Sequence, residues 1–466
     1  IEIKVIPVYP RNHINFNQCI GRASYRPDMI AGAQQPAHQR GLAGPQITVE
    51  PDDHAGTQQG RQSPAETGGR RLVRQVQAER GVVIIRAMHA GDSKTGTLLG
   101  PGQGPTDYAQ VVSRIKAWGQ ELGFAAIGIA TTDVTAARPR LMRWLELGRH
   151  GEMDYMAKHA NLRATPQGLL PDTLSVISAR LPYWPAAADA RQLLAASERA
   201  YVSRYALGRD YHKTMRRRLQ QLIDRLHREA AALHLTESFA CRAFSDSAPV
   251  LETEFAVQSG VAWRGKHTLS LTRTGSWHFL GEIYTTLPLP PDRPIGDHCG
   301  DCRRCLDCCP TQAIVAPYEV DARLCISYLT IELQGAIPEV LRPLIGNRIY
   351  GCDDCQLCCP WNRFAGIGDP DFGVRNGLDA APLATLFAWS EDTFNTRLAG
   401  SAIRRIGHQR WLRNIAVALG NAESSPTNLA ALASRQDDPS PLLREHVGWA
   451  LARHAGKSAR PGEGGR

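Results

Sequence analysis

The chain has 466 residues, of which 43% are hydrophobic and 21% are charged, and it carries a net charge of +9. This length predicts about two or three domains, and the lack of any run of ~18 uncharged apolar residues argues against a membrane-spanning helix. The first residues also lack the basic, apolar and small-residue order of a secretory signal, so the sequence predicts a cytoplasmic protein.

Residues 1–105 combine Gly, Pro, Gln, Arg and His without sustained apolar periodicity. This composition is typical of a disordered segment, or of an extension translated from an upstream start, in which case Met88 is a candidate for the natural first residue. Part of the positive charge lies here. The remaining basic excess favours a polyanionic partner such as RNA or DNA, although charge alone does not identify one.

The first predicted helix begins at Thr106-Asp107, a good helix cap, and its apolar residues follow at helical spacing. They are Val111, Val112, Ile115, Trp118 and Leu122. A strand over 124–130, a helix over 140–147, a strand over 174–181 and a long basic helix over 210–233 follow. Helices thus alternate with short strands, which predicts an α/β or α+β domain over residues 106–290, ended by a proline-rich linker.

The second half of the chain predicts two further modules. A cysteine-rich module covers residues 291–375, and a helical module covers residues 376–456. Within the latter, residues 413–419 resemble residues 445–451 at an offset of 32, which predicts a short HEAT-like helical repeat. Residues 457–466 are expected to form a tail. The predicted fold class of the whole chain is α+β.

The cysteines carry the strongest chemical signal, because ten of the twelve lie between Cys299 and Cys359. Such crowding in a reducing compartment favours metal ligands over disulfides. A first run, Cys-x2-Cys-x2-Cys-x3-Cys-Pro, starts at Cys299 and ends at Cys309-Pro310. It is the bacterial ferredoxin pattern, in which the fourth cysteine ligates the other of two [4Fe–4S] clusters.

A looser second run supplies the remaining ligands. Under the crossing rule, the first cluster has the ligands Cys299, Cys302, Cys305 and Cys359, and the second has Cys309, Cys325, Cys352 and Cys355. Cys308 and Cys358 are left over and are interpreted as packing residues. Paired Cys-x2-Cys motifs also bind zinc, but the complete ferredoxin run favours two iron–sulfur clusters.

Clusters transfer electrons and leave bond chemistry to another site. The segment between residues 244 and 282 is a candidate, since its glycines, aromatic residues and single charges suit a cofactor pocket. Each residue also has a purely structural interpretation. Asp246 could cap a turn, Lys266 could be a solvated charge, His267 a loop residue, and Trp263 and Trp277 core aromatics.

Residues 107–455 resemble the epoxyqueuosine reductase family. The motifs that carry the resemblance are Arg209-Asp-Tyr-His212-Lys, Asp246-Ser-Ala-Pro-Val-Leu-Glu252, Gly265-Lys-His267, Gly275-Ser-Trp277 and Asn347-Arg-Ile-Tyr-Gly-Cys352-Asp-Asp-Cys355, which continues to Cys359-Pro-Trp-Asn-Arg363. The resemblance implies a corrinoid-binding α/β domain, a ferredoxin-like two-cluster module with the same eight cysteines as ligands, and a HEAT-like module that binds tRNA.

The resemblance also implies the activity and the remaining site residues. Asp246 matches the family's proton donor, and burial is expected to keep it protonated. The implied cobalamin contacts are Arg209, His212, Lys266, His267 and Trp277. The implied reaction converts epoxyqueuosine in the tRNA anticodon loop to queuosine, with electrons from an external low-potential donor and with two [4Fe–4S] clusters and cobalamin as cofactors. A monomer without a membrane partner is expected.

Several alternatives remain open at this point. The arginines of the helical module could bind tRNA phosphates or form a solvated helix face; they are Arg404, Arg405, Arg410, Arg413 and Arg444. The enzyme could act on another substrate, as reductive dehalogenases do, although those typically carry a twin-arginine signal and none is visible. A ferredoxin-type electron carrier fused to a binding module is the non-enzymatic alternative.

Overall fold

The computed structural model describes residues 106–235 and 237–458, all of which belong to one compact unit. The predicted extension over residues 1–105, with Met88, lies outside the described residues, as does most of the predicted tail. The predicted boundaries near residues 290 and 375 lie inside the unit and stay predictions.

Helices form most of the regular structure. The α-helices are α1 (Tyr108–Glu121), α2 (Arg138–Glu146), α3 (Asp154–Lys158), α4 (Ala160–Arg163), α5 (Ala190–Ala195), α6 (Tyr211–Arg228), α7 (Glu252–Gln258), α8 (Arg304–Asp307), α9 (Ile326–Ile331), α10 (Arg342–Ile345), α11 (Asp354–Leu357), α12 (Leu383–Phe387), α13 (Glu391–Arg397), α14 (Gly407–Asn421), α15 (Pro426–Ala433) and α16 (Pro441–Ser458). Short 3-10 helices cover Pro166–Gly168, Arg204–Ala206, Ala322–Leu324, Glu339–Leu341, Pro360–Phe364, Pro370–Phe372 and Ala402–Ile406.

The strands are short, and the longest have eight residues. They are β1 (Ala126–Ala130), β2 (Ser175–Pro182), β3 (Tyr201–Val202), β4 (Cys241–Phe244), β5 (Trp263–Arg264), β6 (Ser270–Leu271), β7 (His278–Thr285), β8 (Ile314–Ala316), β9 (Glu319–Val320) and β10 (Arg348–Tyr350). The main sheet has the order β1-β2-β7-β4, and every pair in it is antiparallel. Helices with an antiparallel sheet confirm the predicted α+β class.

The start of α1 shows how local sequence determines an element. The side chain of Asp107 accepts hydrogen bonds from the backbone N–H groups of Ala109 and Gln110, at 3.0 and 3.3 Å, so two free donors at the helix start are satisfied. Val111 and Ile115 are fully buried on one face. The predicted helix is confirmed, and the other predicted helices and strands of this region appear within a few residues of their expected bounds.

The central strand β7 is buried along its whole length. Because strand side chains alternate between the two faces, Phe279 and Ile283 join the core formed with α1 and α6, whereas Tyr284 joins the core formed with α2 and α7. The sheet is therefore covered by helices on both faces. The end of β4, which leads to Asp246, lies at the edge of this sheet beside β7.

A third core joins distant parts of the chain. Strand β3 pairs in parallel with β10, which directly precedes the second group of cysteines. The apolar residues around these two strands share one core with helices α12 to α16. The two similar segments at offset 32 lie on α14 and α16, which pack together so closely that a Cβ at Gly420 would come within 2.9 Å of Ala450. The HEAT-like assignment of this helical region stays a prediction.

Within the described ranges, none of the helices combines the length and the apolar character that crossing a bilayer requires.

Candidate active site and cluster-binding cysteines

Four cysteines line one cavity of about 250 Å³. They are Cys299, Cys302, Cys305 and Cys359. Cys305 lies on the short helix α8, and Cys359 directly precedes the 3-10 helix that begins at Pro360. Burial raises the pKa of the Cys299 thiol to about 11, so cluster binding must displace protons from such groups.

A second set of four lines another cavity of about 130 Å³. Its members are Cys309, Cys325, Cys352 and Cys355. Burial again raises the pKa of Cys325, to about 11. The two cavities divide the eight cysteines in the way that the crossing rule expects. The assignment of each sulfur to a cluster stays a prediction, which this division supports.

Cys308 and Cys358 line neither of these cavities. Cys308 Sγ, at the end of α8, lies 3.4 Å from the carbonyl oxygen of Asp354 at the start of α11, and Cys358 Sγ lies 3.5 Å from the carbonyl oxygen of Cys355. Cys308 thus holds the end of α8 against the start of α11. Among the described residues, no three His, Cys, Asp or Glu side chains are gathered tightly enough to hold a single metal ion.

Asp246 follows β4 and has φ of +51°, a left-handed backbone conformation that is uncommon outside glycine. Its Oδ2 lies 2.5 Å from the Tyr211 hydroxyl and 2.7 Å from His212 Nε2. Its backbone N–H donates to the carboxylate of Glu252 at the start of α7. Contacts from α6 and α7 therefore hold this strained turn in place. The side chain is 20% exposed, toward a cavity of about 390 Å³.

His212 is held from its other side by Asp210. His212 Nδ1 lies 2.8 Å from Asp210 Oδ1, and both residues are buried at the start of α6. Arg405 lies against the same imidazole, with its two terminal nitrogens 3.0 and 2.9 Å from Nε2 and Nδ1, and it pairs with Asp210 at 2.7 Å. The result is a polar chain that runs from Asp210 through His212 to Asp246.

The protonation of this chain differs from the expectation that burial alone keeps Asp246 protonated. Burial acts to raise the pKa of the Asp246 carboxyl, whereas the hydrogen bonds from His212 and Tyr211 and the charge of His212 act to lower it. Burial acts to lower the pKa of His212, but its bonds to Asp210 and Asp246 raise it. The contacts at both ring nitrogens therefore favour a proton on His212, between Nε2 and Asp246 Oδ2.

Two tyrosines connect the Asp246 cavity with the second cysteine set. Tyr205 and Tyr211 line both the cavity of Asp246 and the cavity of Cys309, Cys325, Cys352 and Cys355. Their rings meet edge to face, with centroids 5.9 Å apart. The Asp246 cavity and the cavity of the second cysteine set thus share one aromatic wall. No sequence pattern pointed to a role for either tyrosine, although Tyr211 lies inside the Arg209 to Lys213 motif.

His267, one of the expected cobalamin contacts, is buried between the two cysteine cavities and lines both. Its Nδ1 accepts a hydrogen bond from the backbone N–H of Leu269 at 3.2 Å, and burial lowers its pKa to about 4. The neutral ring therefore carries its proton on Nε2, which has no hydrogen-bond partner among the described residues. Gly265 leaves room for the ring, since a Cβ there would lie 2.5 Å from it.

The other expected cobalamin contacts are spread more widely. Lys266 Nζ donates to backbone carbonyl oxygens of the first cysteine loop, including that of Cys302 at 3.0 Å. Trp277 is buried and packs on Trp184. Arg209 is largely exposed, with its Nε 3.6 Å from Asp371. The structure places none of these three in the wall of the Asp246 cavity, and all the cobalamin contacts stay predictions.

The arginines of the helical module also separate into groups. Arg405 and Arg410 line the Asp246 cavity, and Arg404 and Arg444 are exposed. Arg413 is fully buried, and its guanidinium donates to backbone carbonyls, including that of Leu333 at 2.7 Å. Both alternatives for Arg413, a surface for tRNA phosphates and a solvated helix face, are wrong, because its guanidinium is buried and bonded to backbone carbonyls inside the protein.

Two family models match the chain. One is the 4Fe-4S double cluster binding domain, over residues 298–362, and the other is described as Epoxyqueuosine reductase QueG, DUF1730, over residues 163–247. The first match decides between iron and zinc: this segment is a 4Fe–4S double cluster domain.

Known proteins resemble most of the chain. The epoxyqueuosine reductase of Pseudomonas aeruginosa is 56% identical over 353 residues, which cover 75% of this chain and 96% of that protein. The enzyme of Escherichia coli K12 is 55% identical over 350 residues, with 75% and 90% covered.

Solved structures agree. This chain resembles an epoxyqueuosine reductase bound to an epoxyqueuosine-modified tRNA-Tyr stem loop, with a TM-score of 0.67, 28% identity, and 75% of this chain and 91% of that one covered. It resembles equally a Bacillus subtilis epoxyqueuosine reductase whose catalytic aspartate loop is swung out of the active site, at 29% identity with the same TM-score and coverage. The chain therefore belongs to the epoxyqueuosine reductase family of oxidoreductases.

Proposed function

We propose that this chain reduces epoxyqueuosine to queuosine within a tRNA anticodon loop, with Asp246 as the proton donor. The observation that carries the proposal is the position of Asp246. It lies in the wall of an open cavity whose tyrosines, Tyr205 and Tyr211, also line the cavity of the second cysteine set. Electrons and a proton can therefore reach one substrate from adjacent sides. The relative that was solved with a modified stem loop supports the substrate.

The proposal includes two [4Fe–4S] clusters on the eight cysteines and a corrinoid near the second set. A corrinoid supplies a metal centre of low potential that can deliver two electrons to one carbon atom of an epoxide. The protein groups fit a corrinoid, because the buried Nε2 of His267 has no hydrogen-bond partner in the described part of the chain. This nitrogen can donate to an amide or carbonyl oxygen of the cofactor. His278 and Ser270 add polar groups to the wall of the same cavity.

The protein's own groups then handle the proton. The Asp246 carboxyl passes a proton on to the epoxide oxygen, and Tyr211 fixes the orientation of this carboxyl by donating to its Oδ2 from 2.5 Å away. Glu252 holds the backbone of the turn, so the carboxyl stays aimed into the cavity. The task of these residues is to present one acidic hydrogen at a fixed place, which is general acid catalysis.

Basic side chains surround the route to this cavity. Arg405 is half exposed, Arg410 lies in the cavity wall and Arg404 is exposed close by. We propose that these three arginines meet phosphates of the anticodon loop, whose unstacked base can enter a protein pocket. Arg444 is exposed on α16 and adds charge to the same module.

The test replaces Asp246 with Asn, which keeps the shape of the side chain but removes its acidic proton. Turnover of a stem loop that carries epoxyqueuosine should fall by about 10²- to 10⁴-fold, while iron content, corrinoid binding and stem-loop affinity are retained. Asp224→Asn, an exposed change on α6, is the matched control and should behave as wild type. Full turnover by the Asp246 variant would remove this residue from the mechanism.

A further inference from the structure

We propose that His212 is a proton-relay residue that recharges Asp246, so that one carboxyl delivers both protons that the reaction consumes. The inference rests on the proposed function and adds a second, positioning residue to it. His212 acts through Asp246 and needs no contact with the substrate.

The geometry suits transfer between the two groups. His212 Nε2 lies 2.7 Å from Asp246 Oδ2, a distance at which a proton passes directly from nitrogen to oxygen. Asp210 Oδ1 holds the opposite ring nitrogen at 2.8 Å. This bond keeps a proton on Nδ1, so the proton that leaves the ring is the one on Nε2. Asp210 thus orients the relay in the direction of Asp246.

The surroundings of His212 decide whether it carries that proton. Asp210 and Asp246 favour the imidazolium, and Arg405 opposes it from the 3-10 helix Ala402–Ile406. The ring of Tyr211 lies tilted beside the imidazole, with centroids 4.0 Å apart, and burial raises the pKa of its phenol. Tyr211 is therefore a poor proton source, and His212 is the acid in contact with Asp246.

The stoichiometry requires such a reserve. Converting the epoxide to an alkene breaks two carbon–oxygen bonds, forms one carbon–carbon π bond and releases the oxygen as water, which takes two electrons and two protons. The electrons come from the external donor by way of the clusters. His212 passes its Nε2 proton to the Asp246 carboxylate, which gives it to the epoxide oxygen as the ring opens. Solvent in the open cavity then reprotonates His212, and the same route delivers the second proton to the hydroxyl that leaves as water.

The experiment follows the rate of stem-loop turnover by the holoenzyme against pH. In the wild type the rate should fall as pH rises through the pKa of His212, which lies above its usual value, because neutral imidazole has no proton to pass on. His212→Gln should lower kcat by about 10²-fold, leave KM within about twofold and abolish this alkaline limb. Imidazole added to His212→Ala should restore part of the rate.

Asp210→Asn keeps the imidazole in place and provides an independent readout. Removing the negative charge beside Nδ1 lowers the pKa of His212, so the alkaline limb should move to lower pH. His227→Gln, an exposed histidine farther along the same helix, is the matched control and should leave the profile unchanged.

The outcomes separate this inference from the function that it extends. If His212→Gln keeps the wild-type rate and limb while Asp246→Asn is inactive, the relay is overturned and the proton donor stands. If Asp246→Asn is fully active, the underlying mechanism fails first. If a His212 variant loses its clusters or fails to fold, the deciding measurements are the pH profile of Asp210→Asn and the rescue of His212→Ala by imidazole. The relay is refuted if the alkaline limb of Asp210→Asn does not move and imidazole restores no activity.

Discussion

Asp353 stands between the proposed cluster ligands Cys352 and Cys355, and its carboxylate is fully buried. It accepts hydrogen bonds from the Tyr201 hydroxyl at 2.7 Å, the Ser203 hydroxyl at 2.6 Å and the backbone N–H of Arg204 at 2.8 Å. These bonds tie the cysteine loop to a segment about 150 residues earlier in the chain. We predict that Asp353→Ala destabilises the protein severely and that Asp353→Asn does so only slightly.

The magnitudes follow from the three donors. Each buried donor that loses its acceptor costs about 1–3 kcal/mol, and relief of the buried charge offsets part of that sum, which leaves about 3–4 kcal/mol for Asp353→Ala. Asn can keep its oxygen toward Tyr201 and Arg204 and donate its amide to the Ser203 hydroxyl. Burial also raises the pKa of Asp353, because desolvation penalises the charged carboxylate, and a neutral amide avoids that penalty. The loss for Asp353→Asn should stay below about 1 kcal/mol.

The assay is anaerobic urea unfolding of the cluster-loaded protein, followed by tryptophan fluorescence. With a slope of ~3 kcal/mol per molar urea, the midpoint for Asp353→Ala should fall by about 1 M and that for Asp353→Asn by less than about 0.3 M. Asp301→Ala, a change at an exposed carboxylate of the other cysteine loop, should leave the midpoint unchanged. Equal losses in the Ala and Asn variants would refute the assignment, because charge and not the acceptor oxygens would then hold the loop.

Three further outcomes are expected. Cys302→Ser should lose one of the two clusters, which halves the iron content, whereas Cys308→Ser should keep both; unchanged iron in the first variant would contradict the ligand assignment. Burial lowers the pKa of His446 from 6.5 to about 4. As pH falls, the unfolded chain therefore takes up this proton before the folded protein does, and up to about 3 kcal/mol of stability should be lost between pH 6.5 and pH 4. Unfolding curves for His446→Gln should show a smaller loss of stability in acid, and a loss equal to that of the wild type would exclude this residue as the cause. A Cβ at Gly128 would lie 2.3 Å from the Ser259 carbonyl oxygen, whereas a Cβ at Gly335 would meet nothing within 4 Å. Gly128→Ala should therefore lose about 2–3 kcal/mol of stability, which calorimetry would show as a lower Tm. Gly335→Ala should leave the Tm unchanged.

Sequence reasoning predicted the features that depend on neighbours along the chain. The cap at Asp107 and the buried stripe of Val111 and Ile115 identify α1, because capping and helical spacing are local. The cysteine spacing identified the double cluster domain for the same reason, since the ligands of one cubane come mainly from a single short loop.

Contacts made by the fold as a whole were out of reach. His212 and Asp246 are 34 residues apart and meet because α6 packs across β4 and β7, which no local pattern encodes. Arg413 was misassigned because a charged residue in a helix is usually solvated. Here α14 is enclosed by its neighbours, and backbone carbonyls of Leu329 and Leu333 receive the guanidinium.

The enclosed helix α14 also affects how the protein can be made. The amide of Asn414 donates to the backbone oxygen of Thr330, shortly after Cys325, and to that of Ile349, just before Cys352. A chain that ends before α14 would contain the cluster-binding cysteines but would lack the Asn414 amide that holds the backbone beside them. Iron loading should therefore wait for the completed polypeptide, and a truncated product is expected to be an unfinished protein and not a smaller reductase.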